Sequence, residues 1–85
     1  MQTDRNKILV ESIRRLLRRG ATTHLVNIVN KTHAADLSVV FRSLSLSQQL
    51  ELFNMIADIE QKGILFSELD EDTFLDLIEE ISVIL

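Results

Sequence analysis

Cysteine is absent from this 85-residue sequence. That rules out a disulfide framework and any thiolate metal site, and it fits a reducing compartment. Proline is absent too, and Gly20 and Gly63 are the only glycines. With so few breakers in a chain rich in Leu, Ile and Val, the expectation is nearly all helix joined by very short turns. There is no alternating apolar run and no Asn-Gly or Asp-Gly turn, so no strand is expected. Trp and Tyr are missing as well. No run approaches the roughly 18 apolar residues of a membrane span, and Met1-Gln2-Thr3-Asp4-Arg5-Asn6 lacks the apolar core of a signal peptide. The chain is therefore expected to be soluble and cytoplasmic.

Catalytic signatures are as scarce. Neither a glycine-rich phosphate loop nor a His-x-x-x-His pair occurs. The histidines, His24 and His33, lie nine apart, and no Ser or Thr is spaced to form a nucleophile–base pair with either. His33 reads as a helix cap and His24 as a partly exposed side chain. No enzymatic activity is expected.

What is present is organised around residues 33–44. Leu37, Val40, Phe41 and Leu44 sit at i, i+3, i+4 and i+7, one stripe of a helix that must pack against others. His33 and Asp36 mark its start, where a polar cap and a carboxylate suit the unpaired amides and the helix dipole. Ser45 and Gln48 have capping-box spacing and start the next helix at once.

This unit recurs. A shift of 25 residues pairs Phe41 with Phe66, Leu44 with Leu69, Leu50 with Leu75, Leu52 with Leu77 and Ile56 with Ile81, and it moves the cap from Ser45 to Asp70. Such periods belong to helical repeats in which each unit leaves an apolar face for its neighbour to cover.

The predicted helices run from Thr3 or Asp4 to Arg19, from Thr22 or Thr23 to Asn30, over 33–44, over 46–59, over 64–69, and from Glu71 onward. Leu9, Ile13, Leu16 and Leu17 should face inward in the first, Leu25, Ile28 and Val29 in the second, and Leu46, Leu50, Phe53 and Ile56 in the fourth. In the last, Phe74, Leu77, Ile78, Ile81 and Ile84 or Leu85 should form the apolar stripe. Gly20 is placed to stop the first helix, and Gly63 to break the chain before the fifth. At this length the chain is one domain, residues 1–85, with a small core. Its apolar end, Ile81-Ser82-Val83-Ile84-Leu85, has no cap behind it. That is expected either of a domain truncated at its C-terminus or of a surface that pairs with another copy as a homodimer.

Net charge is −4, but it is unevenly spread. Residues 1–20 carry six basic and two acidic side chains, a net +4, whereas residues 58–85 carry nine acidic ones against Lys62, a net −8. The acidic half argues against nucleic-acid binding and for cations or basic partners. Arg14, Arg15, Arg18 and Arg19 complement the negative end of the first helix dipole, or meet an acidic lipid or protein surface. Glu68, Asp70, Glu71 and Asp72 bracket a helix start, and Asp72, Asp76 and Glu79 lie at i, i+4 and i+7 on the last helix. Hard oxygen ligands suit Mg²⁺ or Ca²⁺, so Asp70, Asp72, Asp76 and Glu79 are a candidate weak metal site. The same acids also read as a solvated face and a cap.

Gly20 with the short helix after it, His33-Ala34-Ala35-Asp36-Leu37, Phe41 and Leu44, the Ser45-Leu46-Ser47-Gln48 cap, and Phe66-Ser67-Glu68-Leu69-Asp70-Glu71-Asp72 together resemble the N-terminal cytosolic domain of MgtE-type magnesium transporters. The similarity covers about residues 10–85. It implies an all-α, right-handed superhelix of about five to six short helices, FliG-like in shape, ahead of a CBS-domain pair and a membrane domain. The implied role is regulatory, with Mg²⁺ between the acidic domain and the CBS domains holding the cytosolic part compact. Two departures matter. Ala34 stands where the family commonly has Pro, and Lys62-Gly63-Ile64 stands where it has Ala-Ala-Glu, so a glutamate of the ion-bridged surface is replaced by Ile64. The alternative expectation is a free-standing helical-repeat interaction module, FliG-like or armadillo-like, that binds a protein partner.

Overall fold

The computed structural model describes residues 2–84, with side chains described over 6–82. Six helices account for nearly all of it: α1 (Gln2–Arg19), α2 (Thr22–Lys31), α3 (Ala34–Arg42), α4 (Leu46–Met55), α5 (Ile59–Glu68) and α6 (Glu71–Ile84). No strand occurs among the described residues. The chain is all-α.

The helices pack in two rows. In one, α3 lies on α1 and α5 on α3; in the other, α4 lies on α2 and α6 on α4, and the rows meet where α1 packs on α2. Each helix thus rests mainly on the one two places along, the arrangement by which repeated helical units share a continuous core. The helix starting at Ala34 lies at the centre: Leu37, Val40 and Phe41 are completely buried, and Ile13, Val29, Leu52, Leu65 and Leu77 close around them from the other helices. Burial at roughly 25 cal/mol per Å² of apolar surface is what holds such short helices.

Local chemistry explains most of the boundaries. Gly20 ends α1 with a φ of 68°, where a side chain would strain against the backbone. The amide of Gly20 donates to Leu17 O (3.2 Å) and that of Ala21 to Leu16 O (3.1 Å), a Schellman stop. Ser45 accepts from the Gln48 amide (3.3 Å) while its own amide donates to Gln48 Oε1 (3.1 Å), completing the expected capping box. His33 occupies the N-cap of α3 through its extended backbone alone, because its side chain makes no capping hydrogen bond. Asp36 stands in the first turn as expected.

The boundary between α4 and α5 departs from expectation. The chain turns at Ile56-Ala57-Asp58, not near Gly63, and Gly63 lies inside α5. Asn30, far away in α2, imposes the break. Its Nδ2 donates to Met55 O (2.9 Å) and to Val26 O (2.8 Å), and its Oδ1 accepts from the Ala57 amide (3.0 Å). These bonds take the partners that another turn of α4 would have used. Asp58 then starts α5 by accepting from the Glu60 amide (2.9 Å).

The inward face of α4 is also turned from the expected one. Gln49, Leu52 and Phe53 are buried, as is Ile56 just beyond the helix, whereas Leu46 and Leu50 are only partly covered. Val10 joins the core from α1, where Leu9, Leu16 and Leu17 are half-buried. Of the apolar end, Ile81 packs against the core; the side chains of 83–85 lie outside the described residues.

Candidate functional site

The acidic end of the chain begins at the entry to α6. Asp70 Oδ2 accepts from the Thr73 amide (3.1 Å), and Thr73 Oγ1 donates to Asp70 Oδ1 (2.7 Å). The hydroxyl first, and the amide second, favour the carboxylate and hold the Asp70 pKa below its ordinary 3.8. Asp70 is committed as the cap that the repeat assigned to it.

Asp72, Asp76 and Glu79 are exposed along α6, on the side away from Leu77, which is completely buried. Leu75 stands among them at 51% exposure. Among the described residues no three Asp, Glu or His side chains gather closely enough to hold a metal ion. The expected ligand set is therefore spread along α6 and not closed into a cage. Mg²⁺, which keeps most of its waters and takes one or two carboxylates, suits such a face better than Ca²⁺, which needs six to eight oxygens.

The side of α6 away from these acids is apolar and turns toward α5. Phe53, Phe66 and Phe74 join α4, α5 and α6, with Phe53 and Phe66 stacked at 5.0 Å and Phe66 and Phe74 edge-to-face at 5.4 Å. The Lys62 ammonium lies 4.9 Å from the Phe53 ring centre, so the basic residue of this region is drawn against the aromatic cluster. Gly63, Phe66, Ser67, Leu69, Glu71 and Phe74 line an open groove of about 470 Å³. Ile59, at 83% exposure, lies one turn before Gly63 on α5, whereas Ile64, 48% exposed, lines the separate depression beside His33.

Two side chains that hold this end in place carry no local sequence signal for it. Asn30 fixes the α4–α5 turn, as described, and Gln61 Nε2 donates to Thr32 O (2.9 Å), tying α5 to the α2–α3 turn. Gln49, buried to 7% exposure, donates to Phe41 O (2.7 Å) and Leu44 O (3.3 Å) and closes the end of α3. The one available cue was the Asp58-x-x-Gln61 spacing, which resembles a capping box; Asp58 does cap, but Gln61 reaches to Thr32.

The two histidines belong to separate depressions. His24 lines one of about 340 Å³ with Arg15 and Arg19 between α1 and α2. His33 lines another of about 430 Å³ with Gln61 and Glu68. No helix among the described residues is long and apolar enough to cross a membrane. Comparison with family models, curated proteins and solved structures finds no match.

Proposed function

We propose that this chain is a non-catalytic regulatory helical domain that docks on another protein through the acidic outer face of α6. Its setting is an MgtE-type magnesium transporter, on the cytosolic face of the membrane, with the CBS domains as partner and Mg²⁺ as the bridging ion. One observation carries the reading: Asp72, Asp76 and Glu79 stand exposed on one face of α6, and among the described residues no three acidic or histidine side chains close into a metal cage. Half-sites of this kind bind a hydrated divalent ion weakly alone and more firmly when a second surface supplies the remaining oxygens. The motif resemblance over residues 10–85 supports the same setting.

The test is a titration of the chain with MgCl₂, followed by backbone amide shifts and controlled with KCl at equal ionic strength. Shifts confined to residues 68–80 and saturating at millimolar Mg²⁺ are expected, and Asp76→Asn with Glu79→Gln should suppress them. If those amides respond only as they do to KCl, Mg²⁺ is not the signal.

The second reading is then a free-standing helical-repeat interaction module, FliG-like or armadillo-like, binding its partner without an ion. The two-row packing favours it, because each helix rests mainly on the one two places along, as in helical repeats.

A further inference from the structure

The open end of the stack has a counterpart at its beginning. Along α5, Ile59, Gly63 and Phe66 lie at i, i+4 and i+7, one stripe of the helix, and the groove beside them is walled by Phe74 and Glu71. Glu60 lies one turn before Gly63, and Asp72 stands beyond Glu71; both are exposed. A Cβ added at Gly63 would meet nothing within 4 Å. Another helix can therefore approach the α5 backbone closely there.

At the other end of the same row, α1 turns its buried residues, Val10 and Ile13, toward α2 and α3. Its outer stripe carries Ile8, Glu11, Arg15 and Arg19 at i, i+3, i+7 and i+11, and all four are exposed, Ile8 to 67%; the stripe is basic only in its C-terminal half. One face is apolar at its centre and ringed by acids. The other is apolar at its centre and followed by arginines.

We infer that the occupant of the groove along Ile59, Gly63 and Phe66 is α1 of a second copy of this chain, packed on the side of α5 away from α3. Ile8 of the incoming copy seats over Gly63 between Ile59 and Phe74, and Arg15 and Arg19 lie toward Glu71 and Asp72. Exposed ion pairs add little affinity but steer encounter and fix orientation, while the apolar contact supplies the adhesion. The contact is head-to-tail. It uses a different patch on each copy, so copies join into strings or rings and do not stop at a two-fold pair. This contact uses the α5 groove and goes beyond the docking proposed for the acidic face of α6.

The experiment is sedimentation of the purified chain over a range of concentration at low and high salt. Average mass should rise beyond twice 9.7 kDa with concentration and fall as salt screens the charges. Gly63→Gln keeps a helical residue where the isolated fold has room, and it should weaken association by about tenfold or more by blocking close approach. Arg15→Glu with Arg19→Glu should do the same from the other side. A mixture of the two variants should recover a single contact and stop at a heterodimer, since each supplies the surface the other lacks. A mass fixed at 9.7 kDa at every concentration overturns the self-docking, and the Mg²⁺ titration then decides the docking face independently. Association abolished by Gly63→Gln but indifferent to the arginine reversals overturns the α1 assignment and leaves the face standing for another occupant.

Discussion

At Asp70 a single carboxylate shows how a local cap becomes a pH response. Its two hydrogen bonds with Thr73 exist only in the folded chain, and they hold its pKa below 3.8. A carboxyl whose pKa is depressed on folding contributes stability that is present above the unfolded pKa and is lost as pH falls through the folded one. Replacing Thr73 with Val removes the hydroxyl donor, brings the Asp70 pKa back toward its ordinary value and should flatten the acid limb of stability below about pH 4. Urea unfolding of both proteins across that limb measures it. An unchanged slope between neutral and acid pH would show that the cap carries no linkage. Ser45, Gln48 and Gly20 act on neighbours within a few residues, so their roles were legible in the sequence. His33 was legible as a position only, because the backbone takes the cap conformation and the imidazole makes no capping bond.

Among the elements, α4 and α5 were the hardest to read, and the reason is distance along the chain. The helical stripe over 46–59 has no internal stop, so periodicity extends it through Ile56 and Ala57. The stop comes from Asn30, 25 residues from Met55. Gly63, a residue that weakens a helix by about 0.5–1 kcal/mol relative to Ala, sits inside α5 because neighbouring turns hold it. The inward face of α4 shifted for a related cause: the carbonyls of Phe41 and Leu44 recruit Gln49 from the buried side, a preference no apolar pattern records. Asn30→Ala leaves the Met55 carbonyl and the Ala57 amide without the partners they have now. It should lower stability by about 1–3 kcal/mol in urea unfolding. His33→Ala serves as the control and should stay within about 0.5 kcal/mol of the parent.

For the whole molecule, layers that touch mainly their neighbours imply graded stability. The central helix α3 is covered by α1 on one side and α5 on the other, whereas α6 rests chiefly on α4 and is anchored by Leu77. Leu37→Ala should therefore cost about 2–5 kcal/mol of global stability and raise amide exchange throughout. Leu77→Ala should speed exchange mainly in α6 and leave the α1–α3 amides close to their parent rates. Equal loss of protection everywhere in both variants would mean that the stack unfolds as one unit. The repeat in the sequence foretold this layering through Leu52 and Leu77, which share the shift of 25 and are both completely buried. It was a poorer guide for Leu50 and Leu75, since the first is partly buried against the core and the second is 51% exposed. The carboxylates of α6 were visible as a row in the sequence, but whether they converge depends on the neighbours of α6, which no spacing within one helix specifies.

The clasp that Asn30 makes on residues 55–57 also bears on the order of events during folding. Until α2 has docked on α4, only Asp58 marks a break between α4 and α5, and the segment 46–68 is free to propagate as one rod across Ile56 and Ala57. The bend is then imposed late, after the long-range contact forms. Removing the Asn30 side chain should accordingly accelerate unfolding while leaving the refolding rate nearly untouched, so the corner of this molecule acts as a latch closed last and opened first.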